Sequence, residues 1–272
     1  MRDTMKGTGR GSSLFVCPVC SRPLERDGRT LRCEDGHSFD LARSGYVNLI
    51  AGRAPKLEPD SREMVAARVA IFSRGRYAEL RRALADMARK YCDGALLDAG
   101  CGEGYFMEDA AREFDTAGID LSKFAADAAA KRLRGAAEIA VASVYKLPIA
   151  DRSMSLVQNI FSPYCGAEFR RVLVDGGTLV VASPSACHLA ELKAIVYDEP
   201  PAAAPREHRL DGFKLVEERE IAASETLDGA ELRALFAMTP HSRSHAAHPE
   251  RLDAVDALTV TTGFDVAVYK KE

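Results

Sequence analysis

Ala95-Leu96-Leu97-Asp98-Ala99-Gly100-Cys101-Gly102-Glu103-Gly104-Tyr105-Phe106 decides how the rest of this chain is read. The apolar run Ala95-Leu96-Leu97 has the character of a buried strand, and it ends in Asp98. Three glycines follow, Gly100, Gly102 and Gly104, and the pattern predicts a helix from about Tyr105. Twenty residues beyond Gly100 stands a second acid, Asp120, at the end of another apolar run, Ala117-Gly118-Ile119. Strand, glycine turn, helix and distant acid together make the skeleton of a nucleotide-binding βαβ unit. Glycines let backbone approach a ligand with no Cβ in the way, and the distant acid suits a pair of ribose hydroxyls.

Spacing and charge narrow the ligand. A dinucleotide loop reads G-x-G-x-x-G and offers a helix N-terminus to a pyrophosphate. Here the run is G-x-G-x-G, with Asp98 before it and Glu103 inside it. Two carboxylates so close repel a pyrophosphate and suit a ligand with positive charge. S-adenosylmethionine, with an ammonium, a sulfonium and a ribose diol, is such a ligand. Asp98-x-Gly100-x-Gly102-x-Gly104 resembles motif I of class I methyltransferases. The plainer alternative is a strand-to-helix turn with no ligand, and the joint occurrence of turn and Asp120 speaks against it.

With 272 residues the chain has room for one large domain and a small one. No apolar run approaches the roughly 20 residues that span a membrane. Residues 1–13 are polar, lack the apolar segment of a signal peptide and read as a disordered tail, so a cytoplasmic protein is the expectation. Seven cysteines, unevenly placed, do not suggest a disulfide framework. The net charge of −3 hides an asymmetry: residues 1–94 carry 18 Lys/Arg against 12 Asp/Glu, and residues 95–272 carry 19 against 28. A basic front third can hold a polyanion while the acidic remainder does chemistry; solvated helix faces explain the same charge equally well.

Residues 14–50 are rich in Cys, Gly and turn formers, and 51–94 read as a linker followed by two helices. Ser61 is placed as an N-cap, and Gly75 separates the helices. From 95 to 272 strands and helices alternate, which implies a parallel sheet covered on both faces. Strands are expected at 95–99, 116–120, 137–141, 154–160, 177–183, 214–223 and 258–269. Helices are expected at 104–113, 122–134, 166–173, 187–196, 228–238 and 249–256, with the last strand antiparallel at or near an edge.

Cys17-Pro18-Val19-Cys20, twelve residues, then Cys33-x3-His37 is a C-x2-C-x12-C-x3-H pattern. Two close pairs of thiolate and imidazole ligands fit one tetrahedral Zn2+. All four positions are ligand types, so no open site for a catalytic water remains, and the zinc reads as structural. A segment with so few large apolar side chains needs a metal to fold. A redox C-x2-C would need a βα context that is absent here. Cys92, Cys101, Cys165 and Cys187 are scattered and read as packed small residues.

The zinc pattern and the glycine loop occur with further short motifs: His37-x-Phe39-Asp40, Gly45-Tyr46-Val47-Asn48-Leu49, Asp60-Ser61-x-Glu63-Met64, Ala67-Arg68, Leu147-Pro148, His188-Leu189-x-Glu191-Leu192-Lys193 and Met238-Thr239-Pro240. In this order the set resembles the RlmA (RrmA) family of 23S ribosomal RNA guanine-N1 methyltransferases, from Phe15 onward. The resemblance implies a class I, Rossmann-like α/β fold with a seven-stranded sheet, and an N-terminal zinc module over 14–50 that helps recognise RNA. It implies S-adenosylmethionine held by Tyr77, Gly100, Gly102, Glu103, Asp120, Ser143 and His188, and zinc held by Cys17, Cys20, Cys33 and His37. The implied substrate is a guanine in a 23S rRNA hairpin, and a homodimer is suggested. Phe161-Ser162-Pro163-Tyr164 stands where family members more often have Tyr-Ala-Pro or Phe-Ala/Ser-Pro; it lies where class I enzymes place substrate-side groups, so Phe161 or Tyr164 could stack on an extruded base. On residues alone Tyr77 reads as a core aromatic, Ser143 equally as an ordinary strand end, and no side chain declares itself as a base for guanine N1. The alternative function is methylation of a small metabolite, with zinc serving stability only.

Overall fold

The apolar runs after residue 95 assemble into one mixed sheet. The computed structural model describes residues 11–50, 52, 58–201 and 210–272. Five strands, β6 (Leu96–Ala99), β7 (Thr116–Asp120), β8 (Glu138–Val141), β9 (Met154–Ile160) and β10 (Leu173–Pro184), are parallel. The long strand β12 (Ala257–Lys271) runs antiparallel between β10 and β11 (Phe213–Asp228), one place in from the edge. Because β9 pairs with β6 and β10 with β9, while β7 and β8 lie on the other side of β6, the strand order reverses at β6. That reversal opens a crevice at the C-terminal ends of the strands, where ligands bind in open α/β sheets.

Side chains alternate across the strands, so neighbours serve opposite faces. Leu96 joins a cluster with Ile71 and Phe72 of α1 (Arg62–Ser73), Leu80 and Leu84 of α2 (Ala78–Tyr91), Leu192 of α5 (Ala190–Val196) and Leu232 of α6 (Gly229–Ala237). On α3 (Lys123–Leu133), Ala126, Ala129 and Leu133 pack against Ile139 and Val141. Leu97 turns the other way, into a cluster with Phe169 and Val172 of α4 (Gly166–Val172) and with the N-terminal module.

That module is a small antiparallel sheet of β1 (Gly11–Val16), β2 (Pro23–Asp27), β3 (Thr30–Arg32) and β4 (Ser38–Asp40). Its Phe15, Leu24 and Leu31 share one core with Ala99, Ala117, Ile119, Ala140 and Ala142. Small side chains on β6, β7 and β8 leave room for the module to lie close. The module thus takes the place of a helix in covering one face. Val16 N–H donates to Pro148 O at 2.9 Å, and Phe15 bridges to Ile149, which tie it further to the turn after β8.

Several expectations are corrected here. Among the described residues the sheet has eight strands, the seven expected and one more: β5 (Val47–Asn48) leaves the module and pairs parallel with β8 through Val47↔Ala140 and Asn48↔Val141. Side chains pack together across residues 50 and 95, and α1 and α2 share the sheet's own core. Within the tail expected over 1–13, residues 11–13 form the start of β1; residues 1–10 lie outside the described residues. No α-helix follows the glycine loop at 104–113, which holds turns and a short 3-10 segment at Ala110–Arg112. The reason is tertiary. Tyr105 stacks on Phe72, Phe106 meets Phe161 edge-on, and Met107 is buried beside α3. Three consecutive large side chains are claimed by three neighbours, and packing overrides helical propensity. Residues 249–254 are likewise 3-10, and α5 begins at Ala190, three residues later than expected.

Phe15 is among the largest fully buried side chains. Replacing Phe15 by Ala is expected to cost about 3–5 kcal/mol of unfolding free energy, measured by urea denaturation. Because module and sheet share a core, that loss should shift one cooperative transition. A separate early transition, with the main one unmoved, would show that the module folds on its own.

Candidate cofactor and zinc sites

The glycine loop is pinned across the sheet. Gly100 and Cys101 both donate their N–H to Ile119 O, at 2.9 and 2.8 Å. Gly100 has φ +93°, and a Cβ there would fall 1.9 Å from the hydroxyl oxygen of Ser162, which crosses over it from the loop after β9. Only glycine fits that position. Beyond it, Gly102 N–H donates to Asp120 Oδ2 at 3.0 Å, and Ser122 N–H donates to Asp120 Oδ1 at 2.7 Å. Each carboxylate oxygen keeps lone-pair capacity for a diol. The sequence placed Gly100, Gly102 and Asp120 together from spacing alone, and the fold brings them together.

Three acids surround this loop. Asp98 is 1% exposed, and its Oδ2 accepts from Gln158 Nε2 at 2.8 Å. Its Oδ1 is buried with no hydrogen-bond partner among the described residues. Burial pushes Asp98 up to about 7, and the charges of Asp120 and Glu103 add to the rise against the Gln158 donor. Burial raises Glu103 as well, opposed by the positive charges of Arg68 and Arg132. Asp120 is raised by burial against its two backbone donors. An orphaned buried acceptor among carboxylates held above their ordinary range calls for a cation that can also donate hydrogen bonds. The ammonium of S-adenosylmethionine answers that need, and its sulfonium adds positive charge, so the residues present fit this cofactor.

An aromatic wall closes the crevice. Tyr77, buried and in the left-handed region at φ +65°, lies edge-on to Phe72 and His188 and tilted on Phe264. Its hydroxyl is 3.4 Å from His188 Nε2. Burial depresses His188 to about 4, so the ring is neutral at physiological pH, and its Nδ1 has no partner among the described residues. Both readings of Tyr77 meet here, since it is packed like a core ring and still stands beside His188. Ser143, half-buried after β8, accepts from Tyr145 N–H through its hydroxyl. It lies close to Asp120, whose carbonyl accepts from the next-door Ala142 N–H at 3.0 Å.

Phe161 and Tyr164 do different things. Phe161 is 41% exposed at φ +53°, a conformation costing a bulky residue about 1–2 kcal/mol. Its ring meets Phe106 and Phe264 and forms the outer face of the aromatic wall. Tyr164 folds away onto Phe169 of α4 and lines a different hollow, a cavity of about 610 Å3 with Arg152, Arg170 and Lys271.

The four sequence-assigned zinc ligands converge. The ligand atoms of Cys17, Cys20, Cys33 and His37 all lie within 4.8 Å of one another. Cys20 Sγ is 3.6 Å from Cys33 Sγ, and Cys33 Sγ is 3.3 Å from His37 Nδ1. Thiolates around one tetrahedral zinc stand about 3.8 Å apart, given Zn–S bonds near 2.3 Å. Two tight turns set this geometry: Ser21 N–H donates to Cys17 O and Gly36 N–H to Cys33 O, with Ser21 and Gly36 both at positive φ. Four ligands close the site, which makes the metal structural.

A profile described as the RlmA N-terminal zinc ribbon matches residues 15–53, and a methyltransferase-domain profile matches residues 96–177. A Bacillus subtilis (strain 168) protein provisionally named 23S rRNA (guanine-N(1)-)-methyltransferase YxjB is 36% identical over 203 residues, covering 70% of this chain and 71% of that one. The chain belongs to the RlmA family of S-adenosylmethionine-dependent, zinc-ribbon methyltransferases. The 23S rRNA (guanine(748)-N(1))-methyltransferase of Streptomyces fradiae is 44% identical over 184 residues; the match spans 65% of this chain and 65% of that relative's length. The class I fold and the zinc ribbon expected from sequence are both present in this RlmA-family chain.

Sequence reasoning missed Gln158, Arg68 and Phe264 as parts of the site. Gln158 and Asn159 had a signal: two amides inside an otherwise apolar strand, which prove to be buried and bonded to Asp98 and to the Ala99 carbonyl. Arg68 stood in the Ala67-Arg68 motif with no role assigned to it, and Phe264 had no signal, since it lies far from the loop in sequence.

The raised Asp98 gives a pH signature. The folded chain keeps this proton up to about pH 7, whereas the unfolded chain releases it near 3.8, so this group's contribution to stability falls as pH rises between the two values. A cationic ligand favours the ionised form. Affinity for S-adenosylmethionine, measured calorimetrically, is therefore expected to rise between about pH 5.5 and about pH 7. Asp98→Asn should weaken binding and flatten that rise; a flat wild-type profile would disprove the coupling.

Proposed function

We propose that this protein transfers a methyl group from S-adenosylmethionine to N1 of a guanine in a 23S rRNA hairpin. The observation that carries the reading is the zinc ribbon packed as a structural layer against β6–β8, next to the glycine loop. The net positive charge of residues 1–94 supports a polyanionic substrate approaching from that side. A hairpin and a homodimer rest on the family resemblance, and a cytoplasmic setting accords with an rRNA substrate. Among the described residues no helix is long and apolar enough to cross a membrane.

When bound, the cofactor supplies an electrophilic methyl carbon on its sulfonium. Methyl transfer is an in-line displacement, so this chain's main tasks are alignment and exclusion of water. Asp120 orients the ribose through its two oxygens, each already fixed by a backbone N–H. Asp98 and Glu103 receive positive charge at the methionine end. Phe161, exposed at the rim of the aromatic wall, stacks on the extruded base and brings N1 to the methyl group. Held by these residues, the cofactor would supply its methyl group to the guanine N1 lone pair and would retain the C–S bonding pair, and the N1 proton would leave to solvent.

Undermodified 23S rRNA incubated with the protein and labelled cofactor tests this directly. N1 methylation blocks Watson–Crick pairing, so reverse transcription should stop beside one guanine. Label entering a small metabolite, with no stop on rRNA, would favour the alternative substrate and sink this one. Phe161→Ala is expected to lower the methylation rate on rRNA by about tenfold or more, corresponding to loss of one base-stacking contact, with cofactor affinity unchanged. Tyr164→Ala should have a smaller effect, because that ring lies along α4. Equal losses of methylation and cofactor binding in Phe161→Ala would remove Phe161 from the substrate side.

A further inference from the structure

The cofactor's methionine end is a zwitterion, yet every group so far assigned to it is an acid or a glycine. Its carboxylate would enter a space already bounded by Asp98, Glu103 and Asp120. Without a cation of the protein's own, repulsion in a buried site would offset much of what the ammonium gains.

Arg68 of α1 supplies that cation. A Cβ built on Gly102 would lie 3.4 Å from Arg68 Nη1, so the guanidinium rests on the glycine loop itself. Only 20% of its side chain is exposed. Burial works against its charge, and Asp60, Glu103 and Asp120 outweigh that and hold it firmly protonated. Its hydrogen bonds among the described residues all leave from Nη2, to Asp60 Oδ2 at 2.6 Å and to Met238 O at 3.4 Å. Nη1, the nitrogen beside Gly102, makes no hydrogen bond among the described residues.

Arg68 is also held in place. Ser122 Oγ donates to Asp60 O at 2.7 Å, while Ser122 N–H donates to Asp120. One serine thus joins the segment that grips Arg68 to the acid that serves the ribose. A buried guanidinium with one nitrogen fixed and another aimed at the loop is preorganised for a carboxylate. The other arginine near Glu103, Arg132, has its Nε engaged by the Glu103 carbonyl and its Nη1 by Glu108, so both of those nitrogens already have partners in the protein.

The geometry points to Arg68 as the residue that binds the carboxylate of S-adenosylmethionine, with Asp60 as its positioning residue. This rests on the methyltransferase reading above and adds the recognition of one group of the cofactor. It also accounts for an arginine placed where a cationic ligand must come: the ammonium faces Asp98, and the carboxylate faces Arg68.

The test compares two ligands by calorimetry, S-adenosylmethionine and its decarboxylated form, S-adenosylmethioninamine. The wild type should prefer the carboxylate-bearing ligand by about tenfold or more, the scale of a charged hydrogen bond. Arg68→Gln should weaken S-adenosylmethionine by about tenfold to a hundredfold and leave the decarboxylated ligand within about threefold, abolishing the preference. Arg68→Lys, which keeps the charge and loses the fork, provides a folded control with an intermediate preference. Asp60→Asn should reduce the preference part-way. Equal weakening of both ligands in Arg68→Gln would make Arg68 a structural counter-charge and overturn the assignment, as would a wild type with no preference. Failure of the wild type to bind either ligand would remove the methyltransferase reading and this assignment with it.

Discussion

Buried negative charge is the constraint around which this molecule is arranged. Asp98, Glu103 and Asp120 stand about one glycine turn, and each is pushed above its ordinary range by burial. Such groups persist only where neighbours answer them. Gln158 donates to one, backbone N–H groups of Gly102 and Ser122 to another, and the charges of Arg68 and Arg132 reach the third. These partners come from β9, the loop after β6, the turn after β7, α1 and α3. The strand order that reverses at β6 is what lets five separate pieces of chain reach one turn.

The zinc ribbon is the second organising element, and its role extends beyond carrying ligands. Phe15, Leu24 and Leu31 complete a face of the sheet that helices cover elsewhere. The metal closes two turns in a segment too poor in apolar side chains to hold itself, and the alanines of β6, β7 and β8 accept it at close range. Zinc ribbon and sheet therefore form one packed body. A ligand held by the ribbon is held at a fixed distance from the methyl donor.

Most of this was legible where the chemistry is local in sequence. The spacing of Cys17, Cys20, Cys33 and His37 announces four converging ligands, and that of Gly100, Gly102 and Asp120 announces a tight turn joined to a distant acid. Ser61 caps α1 as placed, accepting from Met64 N–H. What was hidden depends on distant partners. Helical spacing over Tyr105–Met107 was outvoted by contacts with Phe72, Phe161 and α3 that no local window contains. The pairing of Val47 and Asn48 with β8 joins residues more than ninety apart. Gln158 was visible as a polar interruption of an apolar strand, whereas Arg68, singled out only as part of the Ala67-Arg68 motif, shows its place only when α1 is seen lying on the glycine loop.

The two rims of the eight-stranded sheet are finished differently. At one, β11 presents a row of charged side chains, Lys214, Glu217, Glu218, Arg219 and Glu220, which discourages pairing with another chain. At the other, β8 is apolar, and what covers it is two residues, Val47 and Asn48, carried at the end of the metal-bound module. Stripping the zinc would loosen the only part of the chain that shields that rim among the described residues. The ion therefore guards solubility as well as shape: because ribbon and sheet share a core, a protein deprived of it would loosen as one body and expose a strand edge open to self-association.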